Sequence, residues 1–275
     1  MSAGPEAPVG ESIFLAEGGR FAPTEHARGP WDPRALHGGA PAALITSAFE
    51  RVEPGSELQI ARLGFELLRP VPFAPLEIST RIVRAGRRVQ ELAAELRSGE
   101  DLICRASAMR VQAVPDELPE DLSVELLTGT ASEPMPGPDE GEEVRFALDN
   151  LDRASFAASA MEMRWLDDPW APGPGRVWMR LRHPLLPGQE LTPLARLAAT
   201  ADFANGVSAV LPFDRFLFIN ADLTIHLQRQ PRGEWIGLDA RTLLHAGGSG
   251  LSDSVLHDEH GPVGRSFQTL VVQPR

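Results

Sequence analysis

The sequence predicts an α+β protein built from two similar modules, each an antiparallel sheet wrapped around one buried helix. Two observations carry this expectation. The second half repeats the first at a fixed offset of 160 residues. Each half also reads in the same order: strands, one helix, then a meander of strands. The hydrophobic content, 43% of 275 residues, is ample for the cores required. The stretch from Ala61 to Arg69 aligns without gaps onto Ala221 to Arg229, with Ala61/Ala221, Leu63/Leu223, Leu67/Leu227 and Arg69/Arg229 identical. The same offset pairs Arg81/Arg241, Leu96/Leu256, Arg105/Arg265 and Val111/Val271. Identity is low, but the apolar pattern agrees better than the letters do.

Taken in order, residues 11–25 alternate weakly, break at Gly18-Gly19 and read as one or two short strands. Residues 26–34, with Pro30, Trp31 and Pro33, read as a loop. Leu36 to Val52 is small and apolar, which suits a buried helix with Pro41 in its first turn. Ala61, Leu63, Phe65 and Leu67 alternate with polar or small residues, so a strand is expected there. Leu76 to Val83, Val89 to Arg97 and Leu102 to Val111 continue the meander. Residues 114–145 are rich in Pro, Glu and Asp and read as a linker between a module of residues 1–113 and a module of residues 146–275. In the second module Ser159 to Leu166 and Arg176 to His183 read as strands. Leu191 to Ala209 reads as one helix, and strands fill Leu223 to Val272.

Composition removes several classes of function. A formal charge of −12 argues against a nucleic-acid partner. All 26 basic residues are arginine. The lack of lysine excludes Schiff-base chemistry, lysine-bound pyridoxal phosphate and the P-loop lysine, and the lack of tyrosine removes tyrosine acid/base mechanisms. No apolar run approaches the roughly 18 residues of a membrane helix, and the first residues do not read as a signal peptide. The single cysteine, Cys104, allows no intramolecular disulfide and suits a reducing compartment, with the cytoplasm as the expected location. No metal or cofactor is expected. HisAspGluHisGly (His257 to Gly261) reads as a polar hairpin tip, and AlaGlyGlySerGly (Ala246 to Gly250) lacks the nucleophile-elbow pattern and reads as a hairpin turn. Arg87-Arg88 reads as a solvated turn.

Three short motifs point further. HisGlyGly (His37, Gly38, Gly39) opens the first helix with Trp31 just upstream. AlaAspPhe (Ala201, Asp202, Phe203) lies inside the second helix, and SerPheGlnThrLeu (Ser266 to Leu270) lies on the last strand. Together they resemble the hotdog fold, and more narrowly the double-hotdog acyl-CoA thioesterases of the thioesterase II kind. The resemblance covers nearly the whole chain. It implies two tandem hotdog modules and hydrolysis of acyl-CoA to a free acid and coenzyme A, without metal or cofactor, as part of fatty acid metabolism. In that family an Asp, a Thr or Ser, and a Gln position the hydrolytic water; here these map to Asp202, Asn220 and Gln268. Asn220 departs from the family's hydroxyl. Thr224, taken to share its strand parity, is the fallback. Such proteins commonly associate further, which leaves a homo-oligomer of double-hotdog chains open.

The residues support a site in the second half. A carboxylate on the mostly apolar segment around Asp202 is costly unless it is paired or used. At the repeat offset Asp202, Asn220 and Gln268 face Ala42, Ile60 and Ala108, so the first module reads as degenerate. His37, Gly38 and Gly39 are expected at the substrate, where the glycines permit close backbone approach and helix N–H groups could polarise a thioester carbonyl. Two other readings stay open at this point: a hotdog hydratase or dehydratase, and a non-catalytic acyl-CoA or acyl-carrier binding protein.

Overall fold

The structure, a computed structural model, describes residues 12–113, 135–145 and 154–275. The first half runs β1 (Phe14–Glu17), β2 (Arg20–Pro23), α1 (Gly39–Glu50), β3 (Leu58–Leu67), β4 (Glu77–Arg84), β5 (Val89–Ser98) and β6 (Asp101–Gln112). The second half runs β7 (Glu142–Glu143), β8 (Met161–Trp165), β9 (Gly175–Leu181), α2 (Pro193–Ala201), α3 (Ala204–Val207), β10 (Phe216–Asn220), β11 (Asp222–Leu227), β12 (Ile236–Leu244), β13 (Ser249–Asp258) and β14 (Gly261–Pro274). The strands from β3 onward form one antiparallel sheet in the order β4-β5-β6-β3-β11-β14-β13-β12-β9-β8-β7, with β10 also on β14. The hotdog architecture is thus present twice in one continuous sheet.

Glycines that need positive φ mark the meander turns, Gly99 between β5 and β6 (59°) and Gly261 at the start of β14 (114°). At the offset of 160, β5 maps residue for residue onto β13, and the start of β6 onto the start of β14. The halves join where β3 pairs β11. Gly64 lies directly opposite Thr224, and these two residues are 160 apart. An approximate twofold axis therefore passes between them, as in an isologous dimer made from one chain.

Each half carries the same irregularity. In β3 the pairing with β6 slips by one residue between Ile60 and Arg62. In the second half Asn220 faces Leu270, whereas Thr224 faces Phe267, a slip of one residue around Ala221. A slip of one residue moves side chains to the other face of a sheet. Asn220 therefore points with Leu270 and Gln268 toward the helices. Thr224 points outward and lines a groove on the far face beside Arg62 and Ser107.

The helices lie against the sheet's inner face and against each other, and a single core joins Leu44, Ile45 and Phe49 of α1 to Leu194 and Leu197 of α2 and to Leu63, Leu92, Ile225 and Leu256 of the strands. Burying such side chains is worth roughly 1.5–3 kcal/mol each. Gly39 makes the helix–helix contact possible, because a Cβ there would fall inside van der Waals distance of the Ala199 carbonyl oxygen. α2 starts in the way its sequence suggests, with Pro193 in the first turn and Thr192 Oγ1 accepting from the Ala195 N–H at 3.1 Å. The single helix expected over Leu191 to Ala209 is broken instead. α2 stops at Ala201 and α3 begins at Ala204.

Of the stretch expected as a linker, residues 114–134 lie outside the described residues. Residues 135–145 form a 3₁₀ turn (Pro138–Glu140) and β7, the edge strand on β8. The Trp178 indole N–H donates to the Pro136 carbonyl at 2.6 Å, tying this segment to β9. Among the described residues no helix is long and apolar enough to cross a membrane.

Candidate active site

The break between α2 and α3 has a cause 63 and 66 residues away. Gln268, on the inner face of β14 and fully buried, inserts its amide into the helical hydrogen-bond ladder. Its Oε1 accepts from the Asn205 N–H at 3.1 Å and its Nε2 donates to the Asp202 carbonyl at 3.1 Å. A side chain that takes over ladder bonds in this way kinks or interrupts a helix. The Asn205 side chain completes the arrangement by donating to the Phe218 carbonyl of β10 at 3.1 Å. Asp202 therefore stands at the end of α2 on a backbone held from the sheet.

The Asp202 carboxylate is 6% exposed and is held at both oxygens. Asn220 Nδ2 donates to Oδ1 at 2.8 Å. Because the carboxylate only accepts, the contact fixes which way the amide of Asn220 faces. His37 Nδ1 lies 3.0 Å from Oδ2. The His37 ring is clamped in that position, stacked on Phe203 with centroids 4.1 Å apart and tilted against Phe156 at 5.1 Å. Gly38 explains how the carboxylate comes so close to α1: a Cβ at Gly38 would sit 2.8 Å from Oδ2. The two glycines are thus both contact surfaces, Gly38 for Asp202 and Gly39 for α2.

One ring nitrogen cannot serve all its neighbours. His37 Nδ1 also lies 3.1 Å from the Gly39 amide nitrogen. With Nδ1 bare it accepts from Gly39 and turns a lone pair toward the carboxylate. With Nδ1 protonated it donates to Asp202, and the Gly39 N–H at the start of α1 is left to another acceptor. The second arrangement is favoured electrostatically, because it compensates a buried carboxylate.

Cavities lie on both sides of this pair. Asp202 and Gly38 open onto an apolar one lined by Ile45, Phe65, Leu67 and Leu223. Cys104 also lines it, but burial pushes its thiol up to about 12, so no thiolate forms there near neutral pH. His37 opens onto the other, lined by Trp31, Met163, Trp165, Phe203 and Phe213.

Two sequence-family profiles match the chain, one for the acyl-CoA thioesterase N-terminal domain over residues 27–111 and one for the acyl-CoA thioesterase C-terminal domain over residues 129–272. The chain belongs to the acyl-CoA thioesterase family. Solved structures share the fold at low identity. An acyl-CoA thioesterase II from Mycobacterium marinum superposes with a TM-score of 0.62 at 17% identity, over 91% of this chain and 96% of its own. A hot dog fold protein of unknown function from Alicyclobacillus acidocaldarius does so with a TM-score of 0.71 at 15% identity, over 96% and 97%. A search of curated proteins returns no match.

Within this family assignment, the structure brings Asp202, Asn220, His37, Gly38 and Gly39 into one site. Gln268 reaches the backbone of Asp202 but not its carboxylate. Thr224, the fallback hydroxyl, is carried to the opposite face by the slip at Ala221. Phe203 was named only as the last residue of the AlaAspPhe motif, with no role of its own, and Asn205 was not singled out from the sequence. An asparagine within the apolar run around Ala204 was the signal that could have marked Asn205. Among the described residues no group of three or more His, Cys, Asp or Glu side chains is placed to hold a metal. Asp258 of the HisAspGluHis stretch is instead paired with Arg229 by two hydrogen bonds of 2.6 Å.

Proposed function

We propose that this protein hydrolyses acyl-CoA thioesters to a free acid and coenzyme A, with Asp202 as the general base. The observation that carries the reading is a nearly buried carboxylate held at both oxygens, by Asn220 and His37, beside a small apolar cavity and against Gly38, the residue before α1. Each carboxylate oxygen has a second lone pair, so Asp202 can still accept a proton from a water as that water attacks the thioester carbon. The Gly39 N–H, freed when His37 donates to Asp202, is placed at a helix N-terminus to stabilise negative charge on the thioester oxygen. Asn220 orients the carboxylate in place of the family's hydroxyl. Gln268 acts one step back, fixing the backbone of Asp202. The apolar side chains that line the small cavities beside the pair, Phe65 and Leu223 on one side and Trp31 and Phe213 on the other, would face the acyl group. In this reading the module of residues 146–275 supplies the base, and the module of residues 1–113 supplies His37, Gly38 and Gly39 without a base of its own. The cytoplasm fits a chain whose one cysteine is a buried thiol.

Free-thiol release from short, medium, long and aryl acyl-CoA thioesters, wild type beside Asp202→Ala, tests the reading. Turnover by the wild type that is lost in the variant is expected. Tight binding of acyl-CoA with no turnover on any member would replace hydrolysis with a binding role. Turnover retained in full by Asp202→Ala would remove Asp202 as the base.

A further inference from the structure

On the inner face of the second half, four neighbouring positions form a cross-strand square: Ser252 opposite Gln268, and Ser254 opposite Ser266. All four side chains are buried, at 1% exposure or less. The hydroxyls of Ser252, Ser254 and Ser266 have no hydrogen-bond partner among the described residues. Leaving a buried hydroxyl unpaired costs roughly 1–3 kcal/mol, so three together are a heavy cost for no visible return. The same square in the first half is Leu92 opposite Ala108 and Ala94 opposite Ala106, all apolar. The fold therefore does not require hydroxyls at these corners.

The border of the square has a defined polarity. Ser208 Oγ donates to the Ala204 carbonyl at 2.8 Å, so in its 2.7 Å contact with Thr242 Oγ1 it is the Thr242 hydroxyl that donates. Thr242, directly opposite Ser252, turns only lone pairs to its neighbours. On the other side, Gln268 has spent its Oε1 on Asn205 and one N–H on Asp202, and it keeps one N–H. Residues that face each other across the strands have Cβ atoms about 4.5–5.5 Å apart, and two residues along a strand are about 6.5 Å apart. A small molecule at the centre is then within hydrogen-bonding reach of three hydroxyls and the Gln268 amide. Water is the ligand with matching size and with donors and acceptors in balance, since a buried water typically makes about three hydrogen bonds.

We propose that Ser252, Ser254, Ser266 and the remaining N–H of Gln268 bind a buried water, and that this water locks the Gln268 amide in the orientation that splints the helix break at Asp202. The three serines are positioning residues. Their effect on turnover rests on the hydrolysis reading above; the water site does not.

The test is a crystal structure of the full chain at a resolution that shows ordered water, together with thermal unfolding and steady-state kinetics of Ser254→Ala/Ser266→Ala. Expected are density for a water bonded to at least three of the four groups, a lower Tm in the variant, and a loss in kcat with KM unchanged. No water between the four side chains, or a Tm that is unchanged or raised because alanine removes unpaired hydroxyls, overturns the proposal. Density and Tm need no substrate. A water found in a protein that hydrolyses no thioester would therefore end the hydrolysis reading and leave the water site standing.

Discussion

In the first half the sheet turns Leu92, Ala94, Ala106 and Ala108 toward an unbroken α1. In the second half the same registers turn Ser252, Ser254, Ser266 and Gln268 toward a helix broken at Asp202. The halves also spend buried polar groups differently. Arg110, in the first half, donates to the Phe49 and Val52 carbonyls at 2.6 and 2.8 Å and so closes the C-terminal end of α1; its counterpart in the second half is Leu270. The first half satisfies its helix end with its own arginine. The second half lets a sheet side chain interrupt a helix, and the interruption exposes a carboxylate to an asparagine and a histidine. A duplicated frame keeps its register while the inward residues of one copy are free to build a site.

The sharpest way to break this contrast is at the proposed base, Asp202. Asp202→Asn preserves shape but turns one accepting oxygen into a donor and removes basicity, and kcat is expected to fall by about 10²–10⁴ in the thiol-release assay. Placing the group in the other half, Ala42→Asp, should recover nothing in that background, because position 42 has no splint and no Asn220. Rescue by the double variant would show that the two halves are interchangeable.

The next largest effect is expected from giving the second half the first half's residue at the splint. Gln268→Ala frees the Asn205 N–H and the Asp202 carbonyl to pair within a continuous helix, which rotates the carboxylate. Misplacement by about 1 Å costs roughly 10² in rate. The fall should appear in kcat, and an unchanged kcat would mean that the break does not position the base. Asn220→Ala removes one hydrogen bond to a charged group, about 1.5–3 kcal/mol, and should cost less than the loss of Asp202. Asn220→Thr, which restores the family's residue type, should retain activity.

Part of this arrangement could be read from the sequence. Local alternation and turn residues place the meanders, and a single gapless offset fixes β5 against β13, because strand length and turn position are written in neighbouring residues. The acidic position Asp202 stands out against Ala42 for the same reason. Contacts made at long range are not written locally. The segment from Ala195 to Asn205 reads as continuous helix because its interruption comes from Gln268. His37 meets Asp202 across 165 residues of sequence. Ala221, where the strand slips, is an ordinary residue with no turn chemistry, so parity counted from Asn220 put Thr224 on the wrong face. The two glycines after His37 were the local trace of the site: side chains are excluded there because another helix and a carboxylate occupy the space.

Gly39 carries the packing of the two halves, and its substitution tests that crossing through stability. Gly39→Ala forces a Cβ against the Ala199 carbonyl, backbone that cannot rotate away. Overpacking of this kind costs typically 1–3 kcal/mol, and denaturant unfolding should show a lower midpoint with an unchanged slope. A midpoint equal to that of wild type would mean that the halves can shift apart at this crossing.

The smallest expected effect concerns how far the second half differs in burying polar groups. His257 is 1% exposed with both ring nitrogens unpartnered among the described residues, whereas its counterpart Arg97 is partly exposed and paired with Glu95. Burial lowers the His257 pKa below its ordinary value. In the unfolded chain the same ring titrates near the usual value of about 6.5, so below that pH the unfolded state binds a proton that the folded state refuses. Stability contributed by the neutral ring is therefore complete above about pH 6.5 and is lost as pH falls through that value toward the folded pKa. In His257→Leu this part of the pH dependence should vanish, leaving a shallower decline of unfolding free energy on the acid side. Chemical denaturation at several pH values measures it, and parallel curves for the variant and wild type would show that the ring accepts a proton in the folded state as readily as in the unfolded one.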